Sequence, residues 1–144
     1  MLTAFLVEDM PDVRDTLLEA MEEMLPLKFI GLAATETAAR QWLDENAGRW
    51  DLAIIDFFLG NENALSVLQD CQSRSVNQKV VVLTGYPDPR LFRRCLELGA
   101  DAVFDKSHDV EKLVEFCREH ADHLDAISTE LITDNTKSYA FRNH

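Results

Sequence analysis

Residues 52–60 read LAIIDFFLG. An unbroken apolar run leads into Asp56, and two phenylalanines follow at once. A short continuous run of this kind is the pattern of a strand covered on both faces of a parallel sheet. A carboxylate at the end of such a strand is costly unless something compensates it, so the rest of the chain has to supply a partner for Asp56.

Four further strand-like runs lie around this one: TAFLV (3–7), KFIGLAA (28–34), KVVVLTG (79–85) and DAVFDK (101–106). Segments with helical spacing separate them. Val13, Leu17, Met21 and Met24 form one stripe, with Pro11 suited to its first turn. Thr35 is placed to cap a second helix whose inner face is Ala38, Ala39, Trp42 and Leu43. Leu65, Leu68 and Cys71 mark a third helix; Leu91, Cys95 and Leu98, closed by Gly99, mark a fourth. Val110, Leu113, Val114 and Cys117 mark a fifth. This alternation predicts an α/β fold, a doubly wound (βα)5 sandwich with a central five-stranded parallel sheet of order 2-1-3-4-5. Residues 1–124 are expected to form the domain and 125–144 a tail that can prolong the last helix.

Composition narrows the function. The chain has 144 residues, 47% of them hydrophobic, which fits one globular domain. A net charge of −12 repels nucleic-acid phosphates and favours cations. Cys71, Cys95 and Cys117 are far apart and form no C-x-x-C pair, as expected of structural thiols in a reducing compartment. The amino terminus MLTAFLVEDM lacks the basic region of a signal peptide and the length of a membrane span, so a cytoplasmic location is expected.

The strand ends carry related chemistry. Glu8 and Asp9 follow the first strand, Asp56 ends the third, Thr84 the fourth and Lys106 the fifth; the second offers only Ala33 and Ala34. In doubly wound sheets, ligands bind beyond the carboxyl ends of the strands at the switch point between the first and third. Three carboxylates gathered there repel one another, and burial raises their pKa values. A hard cation such as Mg²⁺ removes the conflict and leaves room for a phosphate oxygen. Lys106 adds a second positive charge and Thr84 a hydroxyl donor. Together these groups meet the needs of phosphoryl transfer to a carboxylate, with Asp56 as nucleophile. Taken singly, Asp9 reads as a helix cap, Thr84 as a turn residue and Lys106 as a solvated lysine; their coincidence at one sheet edge argues for a joint role.

At these residues the chain resembles the receiver domain of bacterial two-component response regulators, of the stand-alone, CheY-like and flavodoxin-like kind. The matching pieces are FLVED (5–9), LAIID (52–56), VVVLTG (80–85) and GADAVFDKS (99–107), within a span from residue 3 to about 122. The resemblance implies that Asp56 accepts a phosphoryl group from the phosphohistidine of a sensor histidine kinase or phosphotransfer protein. It implies Mg²⁺ bound directly by Asp9 and Asp56, through water by Glu8, and by the backbone carbonyl of Phe58. Thr84 would move toward the phosphoryl group and Lys106 pair with it, altering the face formed by the fourth helix, fifth strand and fifth helix, and so the binding of a downstream protein effector. Such a protein is a phosphoacceptor rather than a turnover enzyme, with no direct nucleic-acid or membrane partner.

The chain departs from the family pattern at several places. Ser107 stands where a proline usually follows the lysine, and Val103 where a switching aromatic usually sits; Phe104 next to it is expected to face the other way. Phe58 and Tyr86 are bulky beside the acceptor and are expected to hinder the hydrolytic water. These departures leave open a pseudo-receiver, a protein-interaction domain of the same fold that is not phosphorylated. A phosphatase is disfavoured because Phe58 occupies the place of an acid/base two residues after the nucleophile. The lack of a Gly-rich loop after the first strand argues against a nucleotide or flavin. Arg90, Arg93 and Arg94 form a basic cluster that reads as a solvated helix face or a docking surface. Leu113, Cys117, His120, Leu124, Ile127 and Leu131 have heptad spacing over too short a run to specify a coiled coil. Packing of Leu113 and Cys117 on the sheet, followed by fraying, is expected, with a monomer or weak homodimer. The tail DAISTELITDNTKSYAFRNH is too short and too little basic for a DNA-binding module, so output through a protein partner is expected.

Overall fold

Each of the five apolar runs forms a strand in the computed structural model, which describes residues 1–142, with side chains to Thr129. The elements are β1 (Leu2–Val7), α1 (Pro11–Met24), β2 (Leu27–Ala33), α2 (Glu36–Glu45), β3 (Leu52–Asp56), β4 (Phe58–Leu59), β5 (Glu62–Asn63), α3 (Leu65–Cys71), β6 (Lys79–Thr84), α4 (Pro89–Glu97), β7 (Ala102–Asp105) and α5 (Val110–Arg142). The main sheet is parallel with order β2-β1-β3-β6-β7. With the small β4–β5 hairpin set aside, this is the expected 2-1-3-4-5 arrangement.

Successive side chains of a strand point to opposite faces, so each strand feeds two cores. Phe5, Val7, Ala53, Ile55, Val80 and Val82 pack with Ala39, Leu43, Leu68, Cys71 and Cys95 of α2, α3 and α4. Leu6, Leu52, Ile54, Val81 and Leu83 pack with Met21, Leu113 and Cys117 of α1 and α5. With both faces covered, the strands need no polar side, and each fully buried aliphatic side chain contributes about 1.5–3 kcal/mol. All five residues of β3 are buried, Asp56 included.

Helix caps follow the sequence. Thr35 Oγ1 accepts from the Ala38 N–H at 3.1 Å, and Pro11 opens α1. The inner faces are narrower than the periodicity implies: Met24 and Ala38 are exposed, whereas Met21, Ala39 and Leu43 are buried. Trp42 instead stacks on Phe5, ring centroids 4.0 Å apart and 8° from parallel. Gly31 on the edge strand makes this possible, since a Cβ there would lie 2.3–2.5 Å from the indole.

Three features lie outside the sequence expectation. Phe58 and Leu59 pair with Asn63 and Glu62 in a hairpin that turns at Gly60, whose φ is +63°. β2 holds one extra residue, Ile30, between the pairs Ala4–Phe29 and Phe5–Gly31, a bulge that shifts the strand's alternation. Helix α5 runs unbroken to Arg142, so the tail prolongs the last helix and the expected fraying is not seen. Its apolar stripe serves its own domain: Leu113 and Cys117 are buried, Leu124 packs on the same core, and a ring nitrogen of buried His120 lies 2.9 Å from the Asp51 carbonyl oxygen. The side chain of Leu131, the last heptad position, lies outside the described residues.

Cys71, Cys95 and Cys117 are free and buried, and burial pushes their thiols up to about 12, 11 and 12. Among the described residues no peptide bond is cis, and no helix is long and apolar enough to cross a membrane.

Candidate functional site

Pairing between β1 and β3 runs to Val7 and Ile55, so Glu8 and Asp56 come next on the two strands, side by side at the sheet's edge. Asp9 follows in the turn to α1, whose first residue is Pro11. Carboxylate oxygens of Glu8, Asp9 and Asp56 all lie within 4.8 Å of one another. From the opposite side β7 brings in Lys106, whose Nζ donates to Glu8 Oε1 and to Asp56 Oδ2, both at 2.8 Å. The Phe58 N–H donates to Asp56 Oδ1 at 3.2 Å. The cost of burying Asp56 is therefore met by an ammonium and a backbone donor.

Glu8 is 1% exposed, and its Oε2 has no hydrogen-bond partner. Burial and the hydrogen bond with Asp56 push its carboxyl up to about 8, against the opposing pull of Lys106. For Lys106, burial acts to lower the pKa, but the contacts with Asp56 and Glu8 outweigh it and raise it overall. Glu8, Asp9, Asp56 and Lys106 are thus brought together as the sequence implied.

Thr84 is also buried at this edge, and its carbonyl accepts from the Lys106 N–H at 2.9 Å. Its hydroxyl oxygen accepts from the Tyr86 N–H at 3.0 Å, so it is held on the β6–α4 turn and not on a carboxylate. The donor set of the acidic cluster is all oxygen, and a buried carboxylate oxygen is left without a partner. Hard divalent cations such as Mg²⁺ prefer such ligands, and the residues fit one.

The chain matches the response regulator receiver domain family over residues 4–118. It belongs to that family. A cyclic di-GMP phosphodiesterase of Thermotoga maritima is 28% identical over 78% of this chain and 29% of its own length. A probable C4-dicarboxylate response regulator, DctR, of Priestia megaterium is 24% identical over 77% of this chain and 48% of its own. The chain therefore spans less than half the length of these relatives. Among solved structures it is similar to the response regulator domain of Thermotoga maritima CheB, with TM-score 0.71 and 17% identity over 85% of this chain and 97% of that one. A Burkholderia pseudomallei response regulator, solved with a phosphorylated aspartic acid, calcium ion and citrate, gives TM-score 0.68 and 21% identity over 89% and 73%. The CheX–CheY–BeF3–Mg complex of Borrelia burgdorferi gives 0.70 and 18% over 79% and 84%.

Within this receiver domain the two β7 side chains divide as expected. Val103 packs with the core under α2, α3 and α4, while Phe104 packs on the opposite core and meets Phe116 at 6.1 Å. Arg90, Arg93 and Arg94 are exposed on α4. Arg90 and Arg94 make only long ion pairs of 3.9 Å, with Asp88 and Glu97.

The β7–α5 loop of the receiver domain contains a residue that the sequence reading passed over. Asp105, 7% exposed, accepts from the Ser107 N–H at 2.8 Å, and its other oxygen lies 3.0 Å from His108 Nδ1. The Ser107 N–H, then His108, hold its carboxyl below the usual range. An aspartate two residues before a serine, in a loop, is a signal for a turn closed by the side chain, and it was available in DKSHD.

Proposed function

We propose that this receiver domain accepts a phosphoryl group on Asp56 from the phosphohistidine of a sensor histidine kinase or phosphotransfer protein. The phosphorylated form then binds a downstream protein effector. The observation that carries the reading is the Lys106 ammonium, 2.8 Å from both Asp56 and Glu8 within a cluster of three carboxylates.

In the transfer, an Asp56 oxygen bonds to phosphorus as the donor's phosphorus–nitrogen bond breaks, and the imidazole leaves with a proton. Mg²⁺, when bound, supplies positive charge against the phosphoryl oxygens; Asp9, Asp56 and the Phe58 carbonyl would hold it, with Glu8 acting through water. Lys106 stabilises charge on the equatorial oxygens. Once Asp56 is an acyl phosphate, it no longer offers Lys106 a full carboxylate, and the ammonium turns to the phosphoryl group. Thr84 reaches the same group only by releasing the Tyr86 N–H, which couples the site to the β6–α4 turn. That exchange of partners biases the face formed by α4, β7 and α5 between two states. The phosphorylated aspartate of the Burkholderia protein and the BeF3–Mg complex of the Borrelia protein support the reading by analogy. A cytoplasmic location accords with it.

Incubation of the chain with acetyl phosphate and Mg²⁺, followed by intact-mass measurement, tests the proposal. A covalent phosphate addition that is lost in Asp56→Asn is expected. A wild-type chain that takes up no phosphate would overturn the reading and leave the pseudo-receiver, which binds partners without phosphorylation.

A further inference from the structure

Lys106 reaches its two carboxylates on a flexible four-carbon stem, so the aim of the ammonium depends on how firmly its backbone is held. On one side, the Lys106 N–H donates to the Thr84 carbonyl at 2.9 Å. On the other, the hold comes from Asp105. Its carboxylate accepts from the Ser107 N–H at 2.8 Å and meets His108 Nδ1 at 3.0 Å. The Asp105 N–H donates to Asp109 Oδ2 at 2.8 Å, and the Asp109 N–H returns a bond to the Asp105 carbonyl at 3.0 Å. The Asp109 carbonyl then accepts from the N–H of buried Leu113, anchoring the loop to α5. Lys106 thus sits between a strand and a loop cross-tied by two aspartates.

We propose that Asp105 is a positioning residue for the phosphoacceptor site: by clamping Ser107 and His108 it fixes the turn from which Lys106 reaches Glu8 and Asp56. The inference rests on the reading of Asp56 as phosphoacceptor, and it is particular to this chain, where Ser107 supplies an N–H that a proline lacks. Asp105 touches neither phosphoryl donor nor acceptor; it acts only through Lys106.

Two measurements on the full chain test this, in wild type, Asp105→Ala and Asp105→Asn. The first needs no phosphorylation: the Lys106 ammonium is followed by NMR in metal-free protein. In wild type it is expected to be shifted and protected from water exchange; Asp105→Ala loses this, and Asp105→Asn, which keeps an acceptor for the Ser107 N–H, retains it. The second is the maximal phosphorylation rate with acetyl phosphate and Mg²⁺. Asp105→Ala is expected to lower it by roughly ten- to a hundredfold, the scale of a misplaced catalytic group, and Asp105→Asn to recover most of it. In a Lys106→Ala background, Asp105→Ala is expected to cause no further loss, because the two residues act as one unit. A loss of the same factor in both backgrounds, or an unchanged ammonium signal in Asp105→Ala, would overturn the proposal. If wild type takes up no phosphate but the ammonium responds as described, the positioning role stands and the phosphoacceptor reading falls. Should Asp105→Ala fail to fold, Asp105→Ser, whose single oxygen cannot serve both contacts, is read in the same two ways.

Discussion

Phe58 meets Tyr86 edge to face, ring centroids 5.1 Å apart and planes at 67°, although one lies in the β4–β5 hairpin and the other in the β6–α4 turn. Phe58 also packs edge-on against Phe57 at 5.0 Å, while its own N–H donates to Asp56. A row of rings therefore begins at the backbone donor of the Asp56 carboxylate. Hydrolysis of an aspartyl phosphate needs a water in line with the phosphorus–oxygen bond, and under the proposed function these rings beside Asp56 are expected to hinder it. Phe58→Asn and Tyr86→Ala are each expected to speed phosphate release several-fold, the scale of a modest gain in water access. Release followed after removal of the donor checks this, and no acceleration in either variant would count against the rings as a barrier.

Lys106→Ala leaves Glu8 and Asp56 facing each other without their ammonium. Removing one member of a buried ion pair costs about 3–5 kcal/mol, and the 22% exposure of the Lys106 side chain places this variant toward or just below the low end. Mg²⁺ is expected to restore part of the loss, since it binds the same carboxylates and only in the folded chain. Urea unfolding with and without Mg²⁺ makes the comparison; equal stabilities in the two conditions would speak against the acidic cluster as a cation site.

The Glu8 carboxyl has a defined pH window. Its ordinary value of 4.5 rises to about 8 on folding, so between these the folded chain holds a proton that the unfolded chain has lost. The stability contributed by this group is fully present below about 4.5 and is lost as pH rises through about 8. A cation competes with that proton, so the apparent Mg²⁺ affinity is expected to increase from about pH 6 to about pH 8 and then level off. Calorimetric titrations across this range, in buffers of different ionisation heat, read both affinity and proton release. Glu8→Gln is expected to flatten the dependence.

Gly31→Ala probes the packing of β1 and β2 against α2. A methyl group placed 2.3–2.5 Å from the Trp42 ring cannot be accommodated without moving the indole off Phe5. Overpacking of this kind costs typically about 1–3 kcal/mol. A lowered urea midpoint together with altered tryptophan fluorescence is expected, and an unchanged spectrum would show that the stack adjusts elsewhere.

The site was legible because buried strands that end in charge break the apolar pattern conspicuously. Asp56 had no turn residue to excuse it, and Glu8, Asp9 and Lys106 followed from the sheet order. The hairpin at residues 58–63 was not legible, since strands of two residues carry no periodicity. Nor was the extra residue Ile30, which depends on pairing with β1 across the edge. Met24 and Ala38 fit their stripes by spacing yet face solvent, because spacing fixes a direction on the helix but not how far the sheet extends beneath it. The heptad positions on α5 illustrate the same limit: His120 and Leu124 found their partners in Asp51 and the domain's own core. Asp105 ends a strand, and the turn signal in DKSHD becomes contacts with Ser107 and His108 only when the loop after it closes.

The three native thiols have a practical consequence for testing the two-state change proposed above. Buried and pushed to about 12, 11 and 12, they stay neutral and shielded near neutral pH. A lone cysteine introduced at Leu96, half exposed on α4, is then the one group open to a maleimide dye. Helix α4 can then be labelled and watched optically in an otherwise unaltered chain.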